Sequence, residues 1–539
     1  MASSGMAAEE QHTDRPTVLV GLDFGTTSSS ITYAFPEADG QFHRGRCQTY
    51  ESSLYGSKGK KIPTRYPKGI YNGPRYDGEW IEWFKLSIPH KDDLPKDVRV
   101  SEKLDKLTKE REALDVSAID VSSKYLGELW KQFHQKVAKN TNVEITVTVP
   151  AIWPPDACER LLRALRPRSA NILGPTVRLA QELATEAEAA AIALLSDSAN
   201  TGNLEGLNFK AKDTVIICDC GGGTTDFISY LVKSINPLKV KGIVPSKCIY
   251  AGAALLDDGF MELLRAKTLA ERPYTARKNI KDKDYNRFAH RIWHGNLKEK
   301  HSVDMEDKIF DLPLMFIGNQ VNGSTMTFTA GEINGVFDPV VNKIVNLIET
   351  EMAAVKEQTQ EQATHVVVSG GFGRNCYLRH KIECKVKSVS PSTHVNQWTS
   401  VARGAVLHAI QTKSKSTPSI VQIEARVSGE SYGVGIGKGG PIHWLVRWGD
   451  ELSAEGPNSR PVPSEAVRSS PVGRCFLDWY RVKGPGAKAE IVRPLYYGNS
   501  VGEPGDLHFN FDWDGTKMHY VLYQGDQPLT LTLGEEYDA

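Results

Sequence analysis

The chain carries one small chemical kit twice. Val18-Leu19-Val20-Gly21-Leu22-Asp23-Phe24-Gly25-Thr26-Thr27 and Val215-Ile216-Ile217-Cys218-Asp219-Cys220-Gly221-Gly222-Gly223-Thr224-Thr225-Asp226 each run apolar residues into a carboxylate, then glycines and threonines, and a second apolar segment leaves at once. The pattern predicts two strands joined by a polar hairpin tip. Glycine lets backbone N–H groups approach an anion, threonine hydroxyls donate to it, and an aspartate can hold Mg²⁺ through its waters. One such tip is a weak signal. Two copies point to related halves gripping one polyphosphate from opposite sides. No Gly-x-x-x-x-Gly-Lys-Ser/Thr loop occurs, so a nucleotide would have to be held by these hairpins.

The segments between them supply the frame. In the first half, a 3.6-residue periodicity over 121–137 predicts a helix, and 143–149 a strand stopped by Pro150. Further helices are expected over 156–165 and, past Gly174-Pro175, over most of 177–195. The second half repeats the scheme, with a helix over 331–352 and the strand His365-Val366-Val367-Val368-Ser369 ending in Gly370-Gly371-Phe372-Gly373-Arg374. Hairpin first, then helix and strand, is the output of a duplicated α/β layer fold with its ligand between the halves.

Two positions stay open on spacing alone. Lys85, in Trp80-Ile81-Glu82-Trp83-Phe84-Lys85, reads either as a solvated residue with its stem over tryptophan or as a buried cation for a phosphate. Glu186 and Glu188 cannot share one helix face, and either could be a plain exposed carboxylate.

Composition narrows the classes of function. Lys plus Arg equals Asp plus Glu at 65 each, so no net charge draws the chain to nucleic acid or to an anionic membrane. The eight cysteines lack metal-ligand spacing and read as reduced thiols, Cys218 and Cys220 packing on one face of a strand. Residues 1–15 contain no apolar leader, and no transmembrane-length run occurs, so a cytoplasmic location is expected.

The residues 411–418 are Ser-, Thr- and Lys-rich, and a domain boundary is expected there. Short alternating segments follow, including 420–423, 432–436, 442–446, 475–480, 507–513, 518–523 and 529–533, with a tight turn at Asp514-Gly515. They predict a compact antiparallel β unit. The expected division is a disordered tail 1–16, a first lobe 17–212, a second lobe 213–411, a linker 412–418 and the β domain 419–539.

The ordered set of motifs, with Val147-Thr148-Val149-Pro150-Ala151 and Ala402-Arg403-Gly404-Ala405 between and after them, resembles the two phosphate motifs, the adenosine motif and the connecting segments of the actin-like ATPase superfamily. Within it the 70-kDa heat-shock chaperone family looks most similar, over 18–410. The resemblance implies two lobes around a nucleotide cleft, with ATP and Mg²⁺ as cofactors. Asp23 and Asp219 would hold the metal's water shell. Thr26, Thr27, Gly221, Gly222, Gly223 and Thr224 would take phosphate oxygens. Lys85 would neutralise the transferred phosphoryl group, Glu186 would stand beside the attacking water, and Asp226 would help place it. Gly370, Gly371 and Arg374 would line the adenosine pocket, with Lys298 on its second wall.

Some positions depart from the family pattern. Ala187 stands where the family has proline after the carboxylate, which lets the helix run on and move Glu186. Thr412-Lys413-Ser414-Lys415-Ser416-Thr417 replaces the acidic, apolar linker, and the β tail ends without a helical lid. The expected function is a slow ATP-hydrolysing, chaperone-like protein whose β unit binds extended polypeptide, with co-chaperones as possible partners. The alternatives are a nucleotide-gated scaffold or sensor without turnover, and a small-molecule kinase of the same superfamily.

Overall fold

The computed structural model describes residues 15–533 apart from 43–45, 53–61, 68–79, 100, 167–172, 175, 181–182, 202–208, 272–279, 304–308, 314–324, 387–391, 394–396, 414–420, 437–439, 455, 457, 470–474, 483–488, 498–506, 514–517 and 530. The expected disordered tail (all but its last two residues), the Asp514-Gly515 turn and most of the 412–418 linker fall outside these residues.

Each half is organised around one strand buried on both faces, which is why it reads as a nearly continuous apolar run. In the first half β1 (Thr17–Asp23) pairs antiparallel with β2 (Ser28–Ala34), setting Asp23 opposite Ser30. Helix α1 (Ala118–Lys136), opened by a Ser117/Asp120 capping box, lays Val121, Tyr125, Leu129 and Phe133 on this sheet. The chain then returns as β3 (Asn142–Val149), parallel to β1 with Leu22 beside Val147. Helix α2 (Glu186–Thr201) leaves this half.

The second half repeats the order. β4 (Thr214–Cys220), buried throughout, pairs antiparallel with β5 (Thr225–Ile235), and β5 with β6 (Leu238–Ile249). Helix α3 (Ala330–Thr359) leads to β7 (His365–Ser369), parallel to β4 with Ser369 beside Asp219. Helix α4 (Ser400–Lys413) closes the half.

The halves exchange helices. Ala191, Leu194 and Leu195 of α2 pack on Val215, Ile217 and Val367 of the second sheet, while Val406, Ala409 and Ile410 of α4 pack on Leu19 and Ala34 of the first. The two helices touch where Gly404 lies against Ala189. A Cβ on Gly404 would stand 1.6 Å from the Ala189 carbonyl oxygen, a backbone atom that cannot swing aside. Gly404→Ala is therefore expected to cost about 3 kcal/mol or more and lower the melting temperature by several degrees. Gly335→Ala, on the exposed side of α3 with open space around it, should stabilise the protein by about 0.5–1 kcal/mol through helix propensity. Thermal melts of both variants check the opposite signs.

Two sequence expectations are corrected here. The helix expected over 177–195 begins only at Glu186: Val177–Leu179 is a strand parallel to β3, and Ala184–Thr185 adds a second short pairing. Helix propensity is a weak prior, and the free edge of the sheet outweighs it. The second sheet also does not stop at 412–418. β8 (Val421–Val427) joins β6 in parallel, and β9 (Glu451–Ser453) joins β8. Residues 421–423 of the expected 420–423 segment thus belong to the second half's sheet, not to a separate β unit.

Beyond it, the tail forms two antiparallel sheets among the described residues. One contains Ser431–Gly435, Ile442–Val446, Cys475–Val482, Glu490–Tyr497 and Leu531–Leu533; the other contains Asn458–Pro461, Leu507–Trp513, Met518–Gln524 and Gln527–Pro528. Trp479 is buried at their centre, with ring centroids of Tyr520, Phe509 and Phe511 at 4.8, 5.1 and 6.2 Å. Leu452 of β9 is part of this core, so β9 ties the tail to the second sheet.

Candidate functional site

Because both central strands end in their carboxylates, the fold brings the two hairpin tips to one place. Gly222 abuts Thr27 and Gly223 abuts Thr26: a Cβ on either glycine would fall 2.3 or 2.4 Å from the threonine Oγ1. The Gly221 N–H donates to the Thr224 carbonyl at 2.9 Å and closes the second tip. Glycine at 370 is obligatory as well. Its φ is +82°, and a Cβ would lie 2.3 Å from the Cys220 oxygen and 2.9 Å from Asp219 Oδ1.

The carboxylates are held by neighbours. Asp219 accepts from the Ser369 hydroxyl at 2.9 Å, and Asp23 Oδ2 from Ser30 at 3.4 Å. Asp226 Oδ1 accepts the Ala151 N–H at 3.1 Å, whereas its Oδ2 is buried without a hydrogen-bond partner. No local motif marks Ser369 or Ser30 for this role. Their signal lies in register, each being the residue opposite a motif aspartate across a strand pair.

Lys85 is buried, which removes the solvated reading. Trp83, itself buried, adopts φ +65° and turns the chain into a single helical turn, Phe84–Ser87, that aims Lys85 inward. Its Nζ lies 2.5 Å from Glu186 Oε1, 5.5 Å from the Trp153 ring centroid and 6.0 Å from that of Phe24. Glu186 is the first residue of α2, a position that favours a carboxylate, and the helix does run on through Ala187 without carrying Glu186 away from Lys85. Glu188 points elsewhere, to Arg426.

Three carboxylates, Glu186, Asp23 and Asp226, thus share one ammonium, and Asp219 lies beside them. Burial, and after it the charge of Glu186, pushes Asp23 and Asp226 each up to about 7. Burial likewise raises Asp219 well above the usual carboxylate range, against the Ser369 hydrogen bond. Burial opposes the charge of Lys85, but Glu186 and Asp23 together hold its pKa above the ordinary lysine value. Asp219 also feels the charge of Asp23, so the two aspartates lie near one another.

This donor set fits a hard divalent cation. The oxygens are hard donors, the carboxyl groups outnumber the one ammonium, and Asp226 Oδ2 is an unpartnered buried acceptor. Among the described residues no group of three or more His, Cys, Asp or Glu side chains forms a direct metal cage.

A pH dependence follows from these shifts. The folded apo protein keeps protons on Asp23 and Asp226 that an unfolded chain, with carboxyl pKa near 3.8, has already lost. Their contribution to stability is full below about pH 4 and is lost as pH rises through about 7. A cation must expel those protons at pH 6 but not at pH 8. With Mg·ATP as the ligand of this cluster, the rise in melting temperature is expected to be larger at pH 8 than at pH 6, with affinity changing up to about tenfold per pH unit for each proton displaced. Melts at the two pH values, with and without Mg·ATP, measure it.

The glycine turn after β7 adjoins the cluster through Gly370. Gly370 touches Asp219 as described, and Gly371 and Arg374 are exposed. Asn375 donates its side-chain amide to the Lys298 carbonyl at 3.0 Å, so the segment bearing Lys298 adjoins the glycine turn. The Lys298 ammonium itself pairs with buried Asp257 at 2.7 Å, next to Trp293, whose Nε1 donates to the same carboxylate oxygen. Cys218 and Cys220 are fully buried, their sulfurs 3.4 Å apart.

Two α/β halves of matching topology, exchanging helices and presenting paired Asp-Gly-Thr hairpins to a common centre, define an actin-like ATPase domain. The Hsp70 protein family profile matches residues 84–426, well over half of the chain, and the chain belongs to the Hsp70 family. It is similar to the human heat shock 70 kDa protein 12B, 23% identical over 529 residues, covering 80% of this chain and 74% of that protein. It is also similar to heat shock 70 kDa protein 12A of human and of mouse, 24% identical over 276 residues in each case; this match spans 40% of this chain and 40% of those proteins. No helix among the described residues is long and apolar enough to cross a membrane.

Proposed function

We propose that this Hsp70-family protein binds Mg·ATP between its two hairpins and hydrolyses it slowly, and that the C-terminal β unit uses the cycle to hold extended polypeptide. The observation that carries the reading is the buried Lys85–Glu186 pair among Asp23, Asp219 and Asp226, at the meeting point of the hairpin tips. In this reading Asp23 and Asp219 hold the water shell of Mg²⁺, which supplies charge neutralisation at the phosphates when bound. Thr26, Thr27, Gly221, Gly222, Gly223 and Thr224 bind phosphate oxygens. Glu186 orients the attacking water, Asp226 assists through its free oxygen, and Lys85 offsets negative charge growing on the phosphoryl group. Gly370, Gly371 and Arg374 line one side of the adenosine pocket and Lys298 the other. The chaperone part draws on the heat-shock relatives and on the tail's β architecture.

A second reading, a nucleotide-gated scaffold without turnover, is favoured by one feature: Glu186 is already engaged by Lys85. Single-turnover phosphate release from Mg·ATP separates the two. Release at a measurable rate supports the hydrolase, while a raised melting temperature with intact ATP supports the scaffold. No response of either kind would overturn both.

A further inference from the structure

Glu186 and Glu188 leave the first turn of α2 about 160° apart, as helical geometry requires. Glu188 meets Arg426 of β8, whose Nε donates to Oε2 at 2.9 Å and whose Nη2 donates to Oε1 at 2.7 Å. Such two-pronged pairing fixes orientation as well as distance. The guanidinium's own base is fixed too, because β8 is hydrogen-bonded to β6 beside Ala425 and to β9 opposite Arg426. Thr185-x-x-Glu188 has the form of a capping box, and the Glu188 N–H does donate to Thr185 Oγ1 at 3.1 Å. Both oxygens of the carboxylate, however, serve Arg426.

Packing around this turn is incomplete. A cavity of about 20 Å³ lies beside the pair, lined among others by Thr185, Glu188, Tyr230, Ser246 and Arg426. The hydroxyl of Tyr230 is buried without a hydrogen-bond partner. On this side the start of α2 is held by the ion pair where side-chain packing gives out.

We propose that Arg426 is a positioning residue for hydrolysis: by clamping Glu188 it fixes the first turn of α2, and with it the place of Glu186 against Lys85. The proposal rests on the reading of Glu186 as the carboxylate beside the attacking water. Neither Arg426 nor Glu188 need touch nucleotide. A displacement of about 1 Å at a reacting group is enough to slow a step about a hundredfold, and the clamp sits two residues from that group.

The test is single-turnover phosphate release by the full chain, with Mg·ATP affinity and the apo melt measured in parallel, for the wild type, Arg426→Lys, Glu188→Gln, their double variant and Glu186→Gln. Lysine keeps the charge but not the two-pronged geometry. Arg426→Lys and Glu188→Gln are each expected to slow release about tenfold or more with affinity within about twofold, and the double variant should be no slower than the slower single one. Wild-type release rates in both single variants, beside an inert Glu186→Gln, would overturn the clamp and leave the site reading intact. A loss seen only in affinity or melting temperature would also overturn it, marking the pair as structural. Release equally absent from the wild type and Glu186→Gln would remove the hydrolytic reading and the clamp together.

Discussion

Replacing Asp219 by asparagine is expected to erase the gain in melting temperature that the proposed binding of Mg·ATP should give the wild type, without lowering the melting temperature of the apo protein. A ligand present at a hundred times its Kd and bound only by the folded state stabilises it by about 2.7 kcal/mol. At this chain length that is a rise of about 5 °C, taking about 2 °C per kcal/mol. Asparagine preserves the shape of the side chain and can still accept the Ser369 hydroxyl, but it offers a cation only a neutral oxygen. The gain should fall below about 1 °C. The apo protein behaves differently, because the carboxylate is buried beside Asp23, Asp226 and Glu186, and burial holds its pKa well above normal. Removing it relieves the folded state at neutral pH, where an unfolded aspartate ionises freely. A site that needs crowded charge for its ligand is commonly less stable without it. Differential scanning fluorimetry with and without Mg·ATP reads both effects, and an undiminished gain in Asp219→Asn would exclude the aspartate from metal binding.

What could be read from the sequence was whatever local pattern controls. The central strands declared themselves because a strand buried on both faces must be apolar throughout, and their duplicated Asp-Gly-Thr endings placed Asp23 and Asp219 at comparable points. What escaped was set by contacts remote in the chain. Spacing leaves Lys85 open between a solvated and a buried residue; its burial is decided where Trp83 adopts a left-handed conformation and Glu186, 101 residues away, supplies its counter-charge. Ser369 acquires a role only through parallel registry with Asp219. Residues 421–427 follow a stretch with linker composition, yet they complete a sheet whose edge, β6, lies far back in the chain. The pairing of Glu188 with Arg426 spans 238 residues and leaves no local trace beyond the two charges.

Glu186→Gln is expected to bind Mg·ATP and release phosphate about 10²–10⁴-fold more slowly, the range over which a positioned carboxylate contributes to proton transfer from water. The effect on stability is less direct. Breaking a buried ion pair by removing one partner costs about 3–5 kcal/mol when the survivor is left alone, but Lys85 retains Asp23 and Asp226 in its field, so the loss should be smaller and the lysine should stay charged. Lys85→Ala inverts the situation, leaving Glu186, Asp23 and Asp226 without their ammonium; its apo form should be the less stable of the two and should recover most when Mg²⁺ is added. Both variants remove parts of one unit, so their kinetic penalties should not add: Lys85→Ala/Glu186→Gln should turn over no more than a few-fold more slowly than the slower single variant. Single-turnover release with a parallel melt measures each quantity. Strictly additive losses would mean that the two residues act on separate steps, and that their 2.5 Å contact is incidental to the chemistry.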